Sequence, residues 1–177
     1  SVFFTDVKVP AENLIGEEGK GWTYAKFLLA HERFGIAGVG ASKRQLERLK
    51  EIAKDLGDED LIAKVSQLEI DIMALEFTEL RLLSALEGGG NPGAESSILK
   101  IKGTEIQQRL TELFVEAAGE FAIPYGGPDG YGSNIRPNGP EYTNDALSKY
   151  LNMRKVTIYG GSNEIQKNII SKFVLGV

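Results

Sequence analysis

The sequence predicts an all-α protein, an up-and-down helical bundle led by a short extended segment. Three observations predict it. Apolar residues recur at helical spacing over three long stretches. Glycine- and proline-rich breaks separate those stretches. The one strand-like alternation, in SVFFTDVKVPAENLIGEEGKG at the start, finds no partner strand downstream, and a lone strand cannot satisfy its edges.

The first helical pattern runs from about Thr23 to Lys54. Trp22, Ala25, Leu28 and Leu29 begin its apolar face, and Leu46, Leu49, Ile52 and Ala53 finish it. LGDED breaks it, with Gly57 expected as the C-cap and Asp58 as the next N-cap. A second helix then reaches about Glu87, carrying Leu61, Val65, Leu68, Ile72, Leu75 and Leu82 near a 3.6-residue repeat. EGGGNPGAE (87–95) reads as a turn. The third helix carries Ile98, Ile101, Ile106, Leu110, Leu113 and Phe114 and ends near Gly119. A Gly-, Pro- and Asn-rich loop lies between Tyr125 and Pro140, a length that is commonly functional or disordered. A fourth helix is expected around Asp145 to Arg154, and a last one from Ser162 to about Val174.

At 177 residues, 42% of them hydrophobic and 25% charged, the chain has the size and balance of one globular core. Its formal net charge of −5 argues against nucleic acid, whose phosphates want a basic surface. With no cysteine and one histidine, neither a thiolate nor a multi-histidine metal site can be built, and no metal is expected. The missing cysteine fits a reducing, cytoplasmic compartment. No apolar run is long enough to insert into a membrane.

Two stretches could carry chemistry. In AHERFGIAGVGAS (30–42), Gly35, Gly38 and Gly40 sit within a predicted helix, where each costs about 1 kcal/mol against alanine. Either another helix approaches closely there, or a flat ligand lies against the small residues. Glu32 and Arg33 just before them read by spacing first as a solvated charged pair and only second as functional groups. In IYGGSNEIQK (158–167), Gly160 and Gly161 mark an unusual backbone shape or a close neighbour. Ser162 or Asn163 is the N-cap of the last helix, whose free N–H groups could also hold an anionic or polar ligand.

Three segments in order resemble the acyl-CoA dehydrogenase family of flavoproteins. VKVPAENLIGEEGKGW (7–22) is similar to the end of that family's middle β-domain and the entry into its C-terminal helical domain. The Glu-Arg pair with small residues (32–42) resembles the start of that domain's first helix. IYGGSNEIQKNIISKFVLG resembles the closing signature, an aromatic followed by Glu-Gly-Thr-x-x-Ile-Gln. The resemblance implies a fragment, with 1–21 the tail of the β-domain and 22–177 the helical bundle.

It further implies FAD-dependent oxidation of an acyl-CoA thioester to the 2,3-enoyl-CoA by the longer parent, with this fragment inactive alone and not retaining FAD. Many relatives place the catalytic base directly after the aromatic of the closing motif, where this chain has Gly160. Other branches place it on the domain's first helix before an Arg, and Glu32 matches that position. The resemblance therefore makes Glu32 the base, with Arg33, Tyr159 and Gly160 at the substrate and Gly160 leaving room for substrate or for Glu32. Gly161, Ser162 and Glu164 match positions that touch the flavin nucleotide. Gly119 matches a glycine contacting a neighbouring subunit's cofactor.

The Arg, Phe-Gly and Gln that the family uses for the adjacent subunit's FAD are missing from KDLGDEDLIAKVSQLE (54–69). The implied partners are an acyl-CoA, an electron-transfer flavoprotein or similar acceptor, and a homo- or hetero-oligomer. Two alternatives are a catalytically silent subunit of a heteromeric dehydrogenase and a non-enzymatic helical interaction module.

Overall fold

Helix periodicity sorts apolar residues onto one face of each long segment, and those faces have only each other to pack against. In a computed structural model, which describes residues 2–90, 93–124 and 139–177, they meet as a bundle of six α-helices. These are α1 (Gly21–Ala37), α2 (Val39–Leu56), α3 (Glu59–Glu87), α4 (Ser96–Ala118), α5 (Ala146–Met153) and α6 (Asn163–Ile170). The side chains of residues 30, 31 and 33 and most of the loop expected between Tyr125 and Pro140 lie outside the described part. Among the described residues there is no strand, and residues 2–20 are exposed throughout, as expected of a segment with nothing to pair with. No described helix is long and apolar enough to cross a membrane.

The core lies between α2, α3 and α4. Leu46 and Leu49 from α2, Leu61, Val65, Leu68 and Ile72 from α3, and Leu99, Leu110 and Leu113 from α4 are all buried. The turn between α2 and α3 is as short as the sequence indicates. Gly57 caps α2 in the left-handed conformation (φ 65°), and the Asp58 carboxylate accepts the Leu61 N–H at 3.0 Å.

The first predicted helix is corrected: it is two helices. Gly38 adopts φ 61°, a left-handed conformation that ends α1 and redirects the chain into α2. The carbonyls thus freed are captured from another helix. Gln107 Nε2 donates to Ile36 O at 2.8 Å and to Ala37 O at 3.3 Å. Beside this contact α1 and α4 touch backbone to backbone, since a Cβ on Gly103 would lie 2.6 Å from Ala37 Cα. Close helix approach, one of the two readings of the small residues, is realised at Ala37. Gly35 has no atom within 4 Å of its missing Cβ and faces open space.

The last helix starts at its predicted cap, with Ser162 Oγ accepting the Ile165 N–H at 3.4 Å. It is shorter than predicted, because after Ile170 the chain relaxes into one wide turn, Ser171–Leu175.

The α4 helix touches each of the other five helices, and a polar stripe on it holds their ends. Lys100, fully buried, donates from Nζ to Asn163 Oδ1 at 2.9 Å. Thr104 Oγ1 shares that Asn163 side chain at 3.3 Å. Gln108 Nε2 donates to Met153 O and Arg154 O, at 3.3 and 3.2 Å, where α5 ends. Arg154 reaches back to Gln108 O, Thr111 Oγ1 and Glu112 Oε1 at 2.8–3.1 Å.

No carboxylate lies within ion-pair distance of Lys100 among the described residues, and burial holds its ammonium below the ordinary 10.5 despite the Glu164 charge nearby. The unfolded chain therefore binds this proton more tightly than the folded one. Stability should rise with pH between the lowered folded value and about 10.5, where the burial penalty is relieved. Replacing Lys100→Met removes the buried charge and should flatten that rise. Urea unfolding of both proteins at pH values from neutral to alkaline checks it.

Candidate functional site

The end of α1 and the turn before α6 are brought face to face by α4. On one side Gln107 fixes the last carbonyls of α1, and so fixes Glu32 one helical turn before Ile36. On the other side Asn163, held by Lys100 and Thr104, donates its backbone N–H to Thr157 O at 2.9 Å, which closes the chain around residues 158–162. The two glycines inside that closure have φ 65° (Gly160) and φ 82° (Gly161), both in the left-handed region that a side chain disfavours. The double glycine is therefore a backbone requirement.

Gly160 also has a close neighbour. A Cβ there would lie 2.5 Å from Ile36 Cδ1, so the turn sits directly on α1. The tip of the Ile36 side chain stands directly over the Gly160 Cα.

An open groove of about 810 Å³ runs along this junction, lined by Leu28, Glu32, Gly35, Ile36, Gln107 and Tyr159. Glu32 and Tyr159, singled out on separate segments, thus line one space. Glu32 is exposed and forms no ion pair or hydrogen bond with a described residue, so its carboxylate is free to act on a ligand. Arg33 follows it on α1, with its side chain outside the described part.

Gly161, Ser162 and Glu164 gather at the start of α6. The Glu164 carboxylate is held below the usual carboxylate range by its own backbone N–H and by the Ser162 hydroxyl, which suits an acid in a first helical turn. Gly119 is not part of this group. It closes the far end of α4, about 22 Å along the axis from Thr104 at 1.5 Å per residue.

Lys100, Gln107 and Gln166 were missed by sequence reasoning, and Asn163 was read only as a candidate cap. Gln166 Nε2 reaches Gly161 O at 3.5 Å, while its Oε1 is buried with no partner. The available signal was the spacing of Lys100, Thr104, Gln107 and Thr111, polar residues at helical repeat on a helix otherwise read for its apolar face.

Residues 19–175 match the family described as acyl-CoA dehydrogenase, C-terminal domain. Two curated proteins of Mycobacterium tuberculosis are similar over 99% of this chain. Acyl-CoA dehydrogenase FadE34 is 30% identical, with 22% of its own length covered, and acyl-CoA dehydrogenase IpdE1 is 32% identical, with 43% covered. Among solved structures, the ChsE4-ChsE5 complex from the same organism superposes with a TM-score of 0.73 at 25% identity, over 99% of this chain and 45% of that one. The chain spans less than half the length of each.

The Gly160 geometry gives a direct test. Gly160→Ala should cost about 1–2 kcal/mol from the left-handed backbone alone, with the Ile36 contact adding to it. Ile36→Ala in the same chain should recover the packing part and leave the backbone part, as read from the unfolding midpoints of the single and double variants.

Proposed function

The chain belongs to the acyl-CoA dehydrogenase family, and from that premise we propose that the protein oxidises an acyl-CoA thioester to the 2,3-enoyl-CoA, with Glu32 as the base. The observation that carries this reading is the groove at the α1–α6 junction. Glu32 is its one carboxylate among the described lining residues, and the turn that holds the base in many relatives has Gly160 packed against Ile36. The α-proton of a thioester is weakly acidic, and a positioned carboxylate accepts it as negative charge moves onto the thioester oxygen. Tyr159 lines the groove beside the acyl chain, and Arg33 stands next to the base on α1.

FAD, when bound, accepts the hydride from the β-carbon. The start of α6 fits such a cofactor. Gly161 brings bare backbone to the surface, the Ser162 hydroxyl stands beside it, and the orphaned Gln166 Oε1 would be satisfied by a ligand hydroxyl or N–H. Glu164, tied to its own helix start, stays ionised as a positioning group there. Gly119 would face a neighbouring subunit's cofactor. The groove is open, so this chain by itself is not expected to hold FAD tightly. An electron-transfer flavoprotein or similar acceptor would reoxidise the flavin, and a cytoplasmic setting goes with a chain that has no cysteine.

A second reading is favoured by the turn between α2 and α3. Gly57 and Asp58 alone join those helices, leaving no room for the Arg, Phe-Gly and Gln segment used toward a second subunit's FAD. A heteromeric assembly, such as the two-component ChsE4-ChsE5 complex, would supply those contacts from a related partner. In that case this subunit would serve its partner's site without catalysis of its own.

Glu32→Gln in the flavin-loaded protein decides between them. Under the first reading kcat falls by about 10²- to 10⁴-fold while the oxidised flavin absorbance band is retained before substrate is added. Unchanged bleaching of that band by acyl-CoA in the variant, with a related chain co-purifying, selects the silent-subunit reading.

A further inference from the structure

A second space adjoins the groove and is not used by the chemistry above. It is a cavity of about 270 Å³ between α2, α4 and α5, walled by Leu110, Phe114, Tyr142 and Met153 and therefore mostly apolar. One polar atom in its lining is unsatisfied. Ser42 is 2% exposed, and its Oγ has no hydrogen-bond partner. A buried hydroxyl left alone costs free energy that a ligand oxygen in the cavity would recover. Arg48 stands at the rim over the Phe114 ring, with no carboxylate at ion-pair distance among the described residues.

The cavity and the groove share two walls, Ala41 and Gln107. Between Glu32 and that shared edge α1 lends the groove Gly35 and Ile36. Gly35 is open, while Gly38 is covered by the Gln107 amide, whose Nε2 lies 2.9 Å from where a Cβ would be. Of the small residues singled out in the sequence, Gly35 and Ala41 thus mark a floor leading from the carboxylate toward the cavity.

We propose that the acyl chain of the substrate runs along this floor, crosses the edge at Ala41 and Gln107, and places its distal end in the cavity with an oxygen atom on Ser42 Oγ. The substrate class is then a thioester whose tail is long and carries a hydroxyl, keto or carboxyl group far from the reacting carbons. Glu32 lies six residues before Gly38 on α1, about 9 Å at 1.5 Å per residue, and Ser42 lies just beyond that break on α2, so a four-carbon chain stops short of the break and a twelve-carbon chain passes it. This route rests on the assignment of the groove to an acyl thioester.

Methionine supplies the test. The sequence has two, Met153 in the cavity wall and Met73 half-exposed on α3 away from it. With ε-¹³C-labelled methionine in this chain, titration with 12-hydroxydodecanoyl-CoA should shift the Met153 methyl signal and leave Met73 in place. Butyryl-CoA should shift neither, and Met153→Leu assigns the signals. Ser42→Ala should weaken the hydroxylated probe about fivefold, the worth of one hydrogen bond, and leave dodecanoyl-CoA unchanged.

An unmoved Met153 throughout the long-probe titration overturns the proposal. So does an equal shift with butyryl-CoA, or a shift with free 12-hydroxydodecanoate but not with its thioester. These outcomes leave the role of Glu32 untouched. Conversely, an active Glu32→Gln enzyme in a protein whose Met153 responds to the long thioester removes the base assignment and keeps the route.

Discussion

The arrangement depends on α4 offering polar side chains to helix ends that would otherwise be left without partners. A helix leaves its last carbonyls unsatisfied, and a buried terminus must find donors elsewhere. Gln107 supplies them to α1, Gln108 to α5, and Lys100 with Thr104 fixes Asn163 at the head of α6. An apolar α4 would pack α2 and α3 as well as this one does. It would have no means of stopping α1 at Ala37 or of setting the turn before α6 against Ile36. The bundle core gives cohesion, and the stripe gives the site its geometry.

That division explains what the sequence made legible. The α2–α3 turn was readable because Gly57 and Asp58 act locally, each on backbone groups within its own few residues. The caps at Ser162 and the apolar faces of α3 and α4 were readable for the same reason. The break at Gly38 was not. The apolar pattern continues across it, and the donor that makes the break tolerable comes from Gln107 on a distant helix. Lys100 was passed over because a lysine in a helix ordinarily reads as surface. Its burial follows from the length of its stem and from the waiting Asn163 carbonyl.

The double glycine shows both kinds of information in one place. Its need for an unusual backbone could be read from composition, and φ values of 65° and 82° satisfy it. Its second role, admitting Ile36, belongs to the packing of α1 against the turn. A glutamate at position 160 would meet both obstacles together, since the backbone there is left-handed and its side chain would start inside Ile36. A carboxylate on α1 avoids the conflict, because Glu32 reaches the same groove from a regular helix.

The left-handed residue at Gly38 also separates two angular settings. In an unbroken helix each residue carries the next around by a fixed angle, so any over- or underwinding near Leu46 would swing Glu32 about the axis. A reversal of backbone hand discards that phase. The orientation of the carboxylate is then set afresh from Ile36 and Ala37, and the packing of α2 into the core can drift over evolutionary time without turning Glu32 away from its groove.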